Sequence, residues 1–368
     1  MSGKLPKIAF IGIRGVPVIY SGFEKFVEEF GVRWVRMGGE IVVYSRDNWI
    51  ENKSKWYRGI ERIFSKTYLK GRGWESLGHS LLASLHVLRR NDVGVVYYTG
   101  VGAGFWGFLV RFLSKKLVVV NVDGLDWKRK KWGVLGKLFL LVSEYLSVIW
   151  AHVVVTDSYY VKQYYKHKYG VDSTFIAYGG GGRVKERGLD KLGLKRREYV
   201  VWGGRLVPDN HLEELLLAWK NDWGELVVLG ETREEKGYLE YVKRMVKRKE
   251  VRFLGTVEHG EFLGILKNSK VYVETKRSGG THPSLLDAMS MGCLILANDH
   301  LATKEVLGEA GAYYKAGDSK SLGRKLQDLL NFDRREEIAM REKAKKRSKK
   351  YTWEMVMSQY QRVFDIKK

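Results

Sequence analysis

The stretch SGGTHPSLLDAMSMGC, residues 278–293, poses the question on which the reading of the whole chain turns. Two glycines, Gly279 and Gly280, and a polar pair, Thr281 and His282, precede a proline and then an apolar run that carries one acid, Asp287. Proline is favoured at the first position of a helix, so a helix is expected to open at Pro283 with Thr281 or His282 as its cap. The bare N–H groups of residues 280–284, Ser284 included, then form a cradle for phosphate or sugar oxygens, with the positive end of the helix behind them. Asp287 lies one turn further in. In so apolar a helix a purely solvent-facing acid is out of place, and a carboxylate there can accept hydrogen bonds from a ribose diol.

Working outward, the same kind of strand-then-loop unit recurs. KIAFIG, EIVVYS, GVVYYTG, KLVVVNVDG and AHVVVTDS are short apolar runs rich in β-branched and aromatic residues, separated by segments of helical period. That alternation is the mark of strand–helix–strand units and a parallel sheet buried on both faces. The pattern restarts with YVVWGG, ELVVLGE, VRFLGT, KVYVET and CLILAND. Between the halves, YGGGGRVKERGLDKLGLKRRE, with four successive glycines, reads as a hinge or linker. The expected organisation is an N-terminal domain over residues 1–180, a C-terminal domain over 181–350, and a last amphipathic helix in 351–368 that packs back on the N-terminal domain.

In doubly wound sheets ligands bind beyond the carboxyl ends of the strands, so the loops there are where chemistry is sought. The first loop, GIRGVPVIYSGFEKF, offers Gly15 and Gly22 near a helix start; anion binding and a plain turn both fit it. It is not GxGxxG, and no acid follows at about 20 residues, which argues against a dinucleotide. The second, NVDGLDWKRKKW, holds Asp123 and Asp126. Asp123 reads as a group for sugar hydroxyls or proton transfer; for Asp126 a helix-capping role is equally open. The third, GGRLVPDNHLEELL, places Arg205 behind a glycine pair, where a guanidinium fork suits a diphosphate and a surface ion pair is the alternative.

Bulk properties narrow the classes. A 368-residue chain with 45% hydrophobic residues can build two cores. The single cysteine, Cys293, sits in an apolar run and reads as a buried side chain in a reducing, cytoplasmic setting. The first residues do not read as a signal peptide, and Lys137 and Glu144 interrupt the longest apolar region, so no transmembrane span is expected. The net charge of +23 fits nucleic acid, an anionic membrane surface, phosphate-bearing substrates or simply a lysine-rich surface. No nucleic-acid motif is present. Basic residues instead border aromatic and aliphatic clusters in FWGFLVRFLSKKL and WKRKKWGVLGKLFLL. That suits a bilayer interface, although a buried helix with solvated lysines at its ends reads the same way.

Taken together, GIRGVPVIYSGFEKFVEE, KGRGWESLGHSLLASLH, DGLDWKRKKW, GRLVPDN, FLGTV, SGGTHPSLLDAMSMG and EAGAYY resemble a glycosyltransferase of family GT4 along nearly the whole chain, closest to the bacterial rhamnosyltransferase-like subgroup. The resemblance implies the GT-B fold, an α/β architecture of two Rossmann-like, doubly wound parallel-sheet domains facing a cleft. It implies retaining transfer of a sugar, possibly rhamnose or another deoxysugar, from a nucleotide-diphosphate donor to a glycan or lipid-linked saccharide in cell-surface polysaccharide or glycoconjugate synthesis. Asp287 matches the second glutamate of the Glu-x7-Glu donor motif, while Gly279 stands where the first is usual. Arg205 matches the diphosphate arginine, Asn210 replaces the usual lysine, and His211 or a nearby lysine is left to compensate. Asp123 stands where a histidine is common and would orient donor or acceptor sugar. Gly22 matches the glycine loop at the diphosphate, and Gly255, Thr256 and Val257 would meet the base. No Asp-x-Asp motif occurs, so neither a metal nor another cofactor is expected. The implied location is peripheral at the inner face of the cell membrane. Two rivals are a nucleotide-sugar epimerase of the same fold and a non-catalytic nucleotide- or membrane-binding relative.

Overall fold

The computed structural model describes residues 5–18, 21–67, 71, 73–122, 124–129, 132–232, 235–246, 249–277 and 279–365. The apolar runs become strands because each buries both faces of the sheet it joins. In the first sheet these are β1 (Lys7–Ile11), β2 (Glu40–Arg46), β3 (Trp56–Tyr57), β4 (Ile60–Ser65), β5 (Val95–Thr99), β6 (Leu117–Asn121), β7 (Val153–Thr156) and β8 (Thr174–Phe175), in spatial order β3-β4-β2-β1-β5-β6-β7-β8. All neighbours are parallel except β3 and β4, which form a hairpin. The second sheet contains β9 (Tyr199–Gly203), β10 (Glu225–Leu229), β11 (Val251–Gly255), β12 (Val271–Glu274), β13 (Ile295–Asn298) and β14 (Ala312–Tyr314), ordered β11-β10-β9-β12-β13-β14 and wholly parallel.

In both sheets the chain runs out to one side and then returns to build the other. The reversal falls between β1 and β5 in the first sheet and between β9 and β12 in the second. Such switch points splay the loops apart and open a crevice at the strand ends.

The chain divides into two compact units, one made of the residues up to Ala177 together with those from Trp353 onward, the other of Tyr178–Thr352. The returning helix Trp353–Phe364 joins the first unit through aromatic packing. Trp353 stacks on Phe26 at 6.4 Å, Tyr360 meets Phe30 edge-on at 5.3 Å, and Phe364 meets Trp34 at 5.5 Å. The Tyr360 hydroxyl lies 2.7 Å from that of Tyr97, which also accepts from Asn121 Nδ2 at 2.9 Å. That pairing satisfies polar tips that burial would otherwise penalise.

The four-glycine run is not a free linker. Gly180 lies so close to the helix Pro283–Ser290 that a Cβ there would sit 2.7 Å from the carbonyl carbon of Leu286, and its N–H donates to Tyr351 O at 2.9 Å. Only glycine permits that approach.

His79, on the helix Trp74–Leu88, is fully buried. Burial, aided by the nearby Arg46, lowers its pKa from 6.5 to about 3. The folded chain therefore holds this imidazole neutral, whereas the unfolded chain protonates it below about pH 6.5. Stability is complete above that pH and falls as pH drops towards 3, by up to about 1.4 kcal/mol per unit from this group. Denaturant unfolding of the wild type and of His79→Gln between pH 7 and pH 4 should show the flatter pH dependence in the variant; parallel curves would refute the assignment.

Candidate functional site

The site is built at the β9–β12 switch point of the second unit. β9 ends at Gly203, and the next residues turn back over β10: Gly204 N–H donates to Leu229 O at 3.0 Å and Leu206 N–H to Glu231 O at 3.1 Å. This places Gly230 directly beneath the loop. Its φ is +125°, and a Cβ there would stand only 1.8 Å from Gly204 O. Arg205 follows, its carbonyl accepting from Asn210 Nδ2 at 2.7 Å. Asn210 is buried and its own carbonyl accepts from Thr275 Oγ1 at 2.5 Å, while Trp202 Nε1 donates to the same hydroxyl at 2.8 Å. A continuous hydrogen-bonded tie thus runs from β9 through Asn210 to the end of β12. Asn210 acts as a loop brace. His211 is engaged by Glu213 at 3.3 Å and Glu214 at 3.8 Å.

Beyond β12 the sequence reading of the opening stretch acquires geometry. The helix runs Pro283–Ser290, with proline in its first turn. Of the two residues expected to cap it, His282 occupies the cap position, without a side-chain capping bond. The helix N-terminus consequently lacks the internal acceptor that a serine or aspartate cap provides. Thr281 and His282 are both buried, and Gly279 has φ +99°, a left-handed conformation that a glutamate adopts only under strain.

Asp287 is fully buried. Oδ1 accepts from Gly181 N–H at 2.9 Å and Oδ2 lies 3.1 Å from His259 Nε2. Gly255 ends β11 at the edge of the sheet with φ +68°, followed by exposed Thr256 and half-buried Val257.

Two residues that sequence reasoning passed over lie at the centre of this arrangement. Glu274 ends β12 and is fully buried. Oε2 accepts from Tyr272 Oη at 2.8 Å and from Lys276 Nζ at 3.2 Å, and Oε1 accepts from Lys276 N–H at 3.0 Å. Burial pushes its pKa up, but the charges of Lys276 and His282 and the hydrogen bonds to it outweigh that, and the carboxyl is held below its usual value. In KVYVETKRSGG the acid looks like a strand end and the lysine like surface charge; no local pattern announces a buried pair.

In the first unit the picture differs. Gly15 has φ +142°, and a Cβ would lie 2.3 Å from Ile50 Cδ1 and 2.7 Å from Ser45 Oγ, so its own neighbours already require glycine. Gly22 opens the helix Gly22–Arg36, whose N-terminus carries a capping box from Ser21 and the buried Glu24. Glu24 in turn lies 3.5 Å from Arg14. Asp126 is paired with Arg129 at 2.9 Å. Asp123 lies outside the described residues. The structure therefore gathers Arg205, Asn210, Gly279, Gly280, Thr281, His282, Ser284 and Asp287 in the second unit, with Gly255, Thr256 and Val257 at the end of its edge strand, while Gly15 and Gly22 belong to the first. Among the described residues no group of three His, Cys, Asp or Glu side chains could hold a metal. Cys293 is buried, and its pKa is pushed up to about 12 by that burial.

Residues 185–351 match the family of glycosyl transferases group 1. The chain is a glycosyltransferase. Residues 86–181 of the enzyme match a domain of unknown function, DUF1972. A comparison with curated proteins gives no match. Among solved structures the glycosyltransferase resembles sucrose-phosphate synthase from Thermosynechococcus elongatus, with a TM-score of 0.83 and 16% identity over 98% of each chain. It also resembles HepE of Anabaena in complex with UDP and glucose, with a TM-score of 0.79 and 14% identity over 99% of this chain and 100% of that one. WaaG, a glycosyltransferase involved in lipopolysaccharide biosynthesis, gives a TM-score of 0.75 at 11% identity over 98% and 100%. At such identities the likeness is one of fold, and that fold is GT-B.

The contact beneath Arg205 yields a direct expectation for this glycosyltransferase. Gly230→Ala must move either the Gly204 loop or β10, so it should destabilise the protein by more than the roughly 1 kcal/mol typical of a strained glycine replacement. Thermal unfolding of the variant checks this, and an unchanged midpoint would contradict the geometry.

Proposed function

We propose that the glycosyltransferase is a GT4-type, retaining enzyme that moves a sugar from a nucleoside-diphosphate donor to a hydroxyl of a glycan or lipid-linked saccharide in cell-surface polysaccharide or glycoconjugate synthesis. What supports this reading is that the loop carrying Arg205 and the loop leading to the helix start at 280–284, with the buried Asp287 behind it, follow the neighbouring strands β9 and β12, within the segment that matches glycosyl transferases group 1. In this reading the helix N–H groups and Arg205 hold the leaving diphosphate, where negative charge grows as the bond to the sugar breaks. Asp287 accepts from the ribose hydroxyls, and the loop 255–257 meets the base. The acceptor oxygen attacks the anomeric carbon on the face the diphosphate leaves, and its proton passes to the departing phosphate oxygen. Asp123 orients a sugar, and no metal takes part.

The backbone at Gly279 supports a donor unlike glucose. With φ +99° there, a carboxylate for the sugar hydroxyls is disfavoured at that position. A deoxysugar such as rhamnose, as in the rhamnosyltransferase-like subgroup, needs fewer such contacts. Calorimetry and thermal shift with UDP, dTDP, GDP and ADP are expected to show selective binding of one nucleotide, weakened at least about tenfold by Arg205→Ala and by Asp287→Asn. Absence of binding to all four would overturn the donor-site reading. Binding with donor left intact in the presence of acceptors would favour a non-catalytic relative instead.

The acceptor side of the proposal rests on the helix Val134–Trp150. Val134, Leu135, Leu138, Val142, Tyr145 and Ile149 recur at helical spacing and are all exposed, Val134 and Leu135 to 83%. Phe112 and Leu113, on the neighbouring helix Gly107–Leu113, are exposed too. Among the described residues no helix is long and apolar enough to cross a membrane. An apolar stripe bordered by lysines and arginines, on a chain of charge +23, suits the surface of an anionic bilayer on the cytoplasmic side. Sedimentation with phosphatidylglycerol-containing vesicles at low salt should show binding that Leu135→Asp with Leu138→Asp abolishes. A wild type that ignores the vesicles would remove the membrane from the proposal.

A further inference from the structure

We propose that Lys276 supplies a second positive charge to the donor diphosphate, alongside Arg205; this rests on the donor-site reading above and adds to it a residue of this chain. Lys276 leaves the end of β12 and crosses the switch point towards the neighbouring strand. A Cβ on Gly204 would lie 2.6 Å from Lys276 Cε and 3.4 Å from Nζ, so the loop after β9 is glycine at the place where the lysine passes. The ammonium then donates to Ser284 Oγ at 2.6 Å. Ser284 is the second residue of the helix Pro283–Ser290.

That position has the wrong sign for a structural lysine. A helix N-terminus carries partial positive charge and favours anions, and cations belong at the other end. Glu274 balances the unit charge of Lys276, but the helix end adds further positive charge beside it. Local violations of this kind mark sites where a ligand completes the balance. A diphosphate does so: it carries several negative charges and offers oxygens to the helix N–H groups, to a guanidinium and to an ammonium together. His211 faces Glu213 and Glu214, and Arg277 pairs with Glu214. Asn210, which stands on the same loop as Arg205, is neutral, and its amide braces that loop. The Lys276 side chain keeps 11% exposure.

The competing reading is that Lys276 only neutralises Glu274. Removing it alone leaves a buried unpaired carboxylate, which destabilises a protein whatever the lysine does. The test therefore compares four full-length proteins by calorimetry: wild type, Lys276→Met, Glu274→Gln, and the double variant. The probes are UDP, dTDP, GDP and ADP, each beside its nucleoside. With the carboxylate already replaced by an amide, adding Lys276→Met should weaken the preferred diphosphate about tenfold to hundredfold and leave its nucleoside unchanged. Equal diphosphate affinity of Glu274→Gln and the double variant overturns the proposal. Parallel loss of nucleoside and diphosphate overturns it too, because that pattern reports a damaged site. If the wild type binds no diphosphate, the donor-site reading fails and this inference fails with it, an outcome distinct from the other two.

Discussion

Glu274 is an ionised carboxylate with no exposure to water, and the end of β12 is arranged around that charge. Its partners come from both sides: Tyr272 within the strand, Lys276 beyond it, and His282 at the start of the next helix, 3.8 Å away. Stripping any of them leaves a charge that water cannot reach, a loss that breaking a buried pair makes severe. The pair therefore fixes where the loop turns. It sets the entry of the helix Pro283–Ser290, and through that helix the position of Asp287. Asp287 in turn anchors Gly181 and His259. The crevice is shaped by electrostatics buried within one unit, and its glycines are where backbone and side chains must pass close together.

Much of the fold was legible because parallel strands buried on both faces leave continuous apolar runs. Ten of these stand out in the sequence and correspond to β1, β2, β5, β6, β7, β9, β10, β11, β12 and β13. The strands that went unread fail that criterion for physical reasons. β4, IERIFS, hides Glu61 and Arg62 in the interior. Glu61 is held there by Arg90 at 2.9 Å and Lys7 at 3.3 Å, and Arg62 donates to the carbonyls of Val16 and Ser54. Pairing across many residues makes such charges tolerable inside, and no local pattern reveals it. β8 and β14 are simply too short to show a period.

The candidate site divides in the same way. Loops at strand ends could be found from the sequence, since their place follows from topology. The purpose of individual glycines could not. Gly15 answers to Ile50 and Ser45, Gly180 to Leu286, and Gly230 to Gly204, each a contact between segments distant in sequence. Read along the chain, Gly15 looks like part of a ligand loop and Gly180 like part of a linker. Lys276 shows the converse: in sequence it is one of many lysines, and only its path across Gly204 singles it out.

The return of the helix Trp353–Phe364 to the first unit has a bearing on how the molecule is made. Phe26, Phe30, Trp34 and Tyr97 are all in place before the second unit has been synthesised, yet the aromatic rings that cover them belong to residues 353–364. During translation these rings lack their cover until the whole of Tyr178–Thr352 has been made. The first unit thus completes its aromatic packing with residues made after the second unit's whole segment. A greasy surface left open for that interval is a place where a nascent chain can meet a chaperone, or another copy of itself.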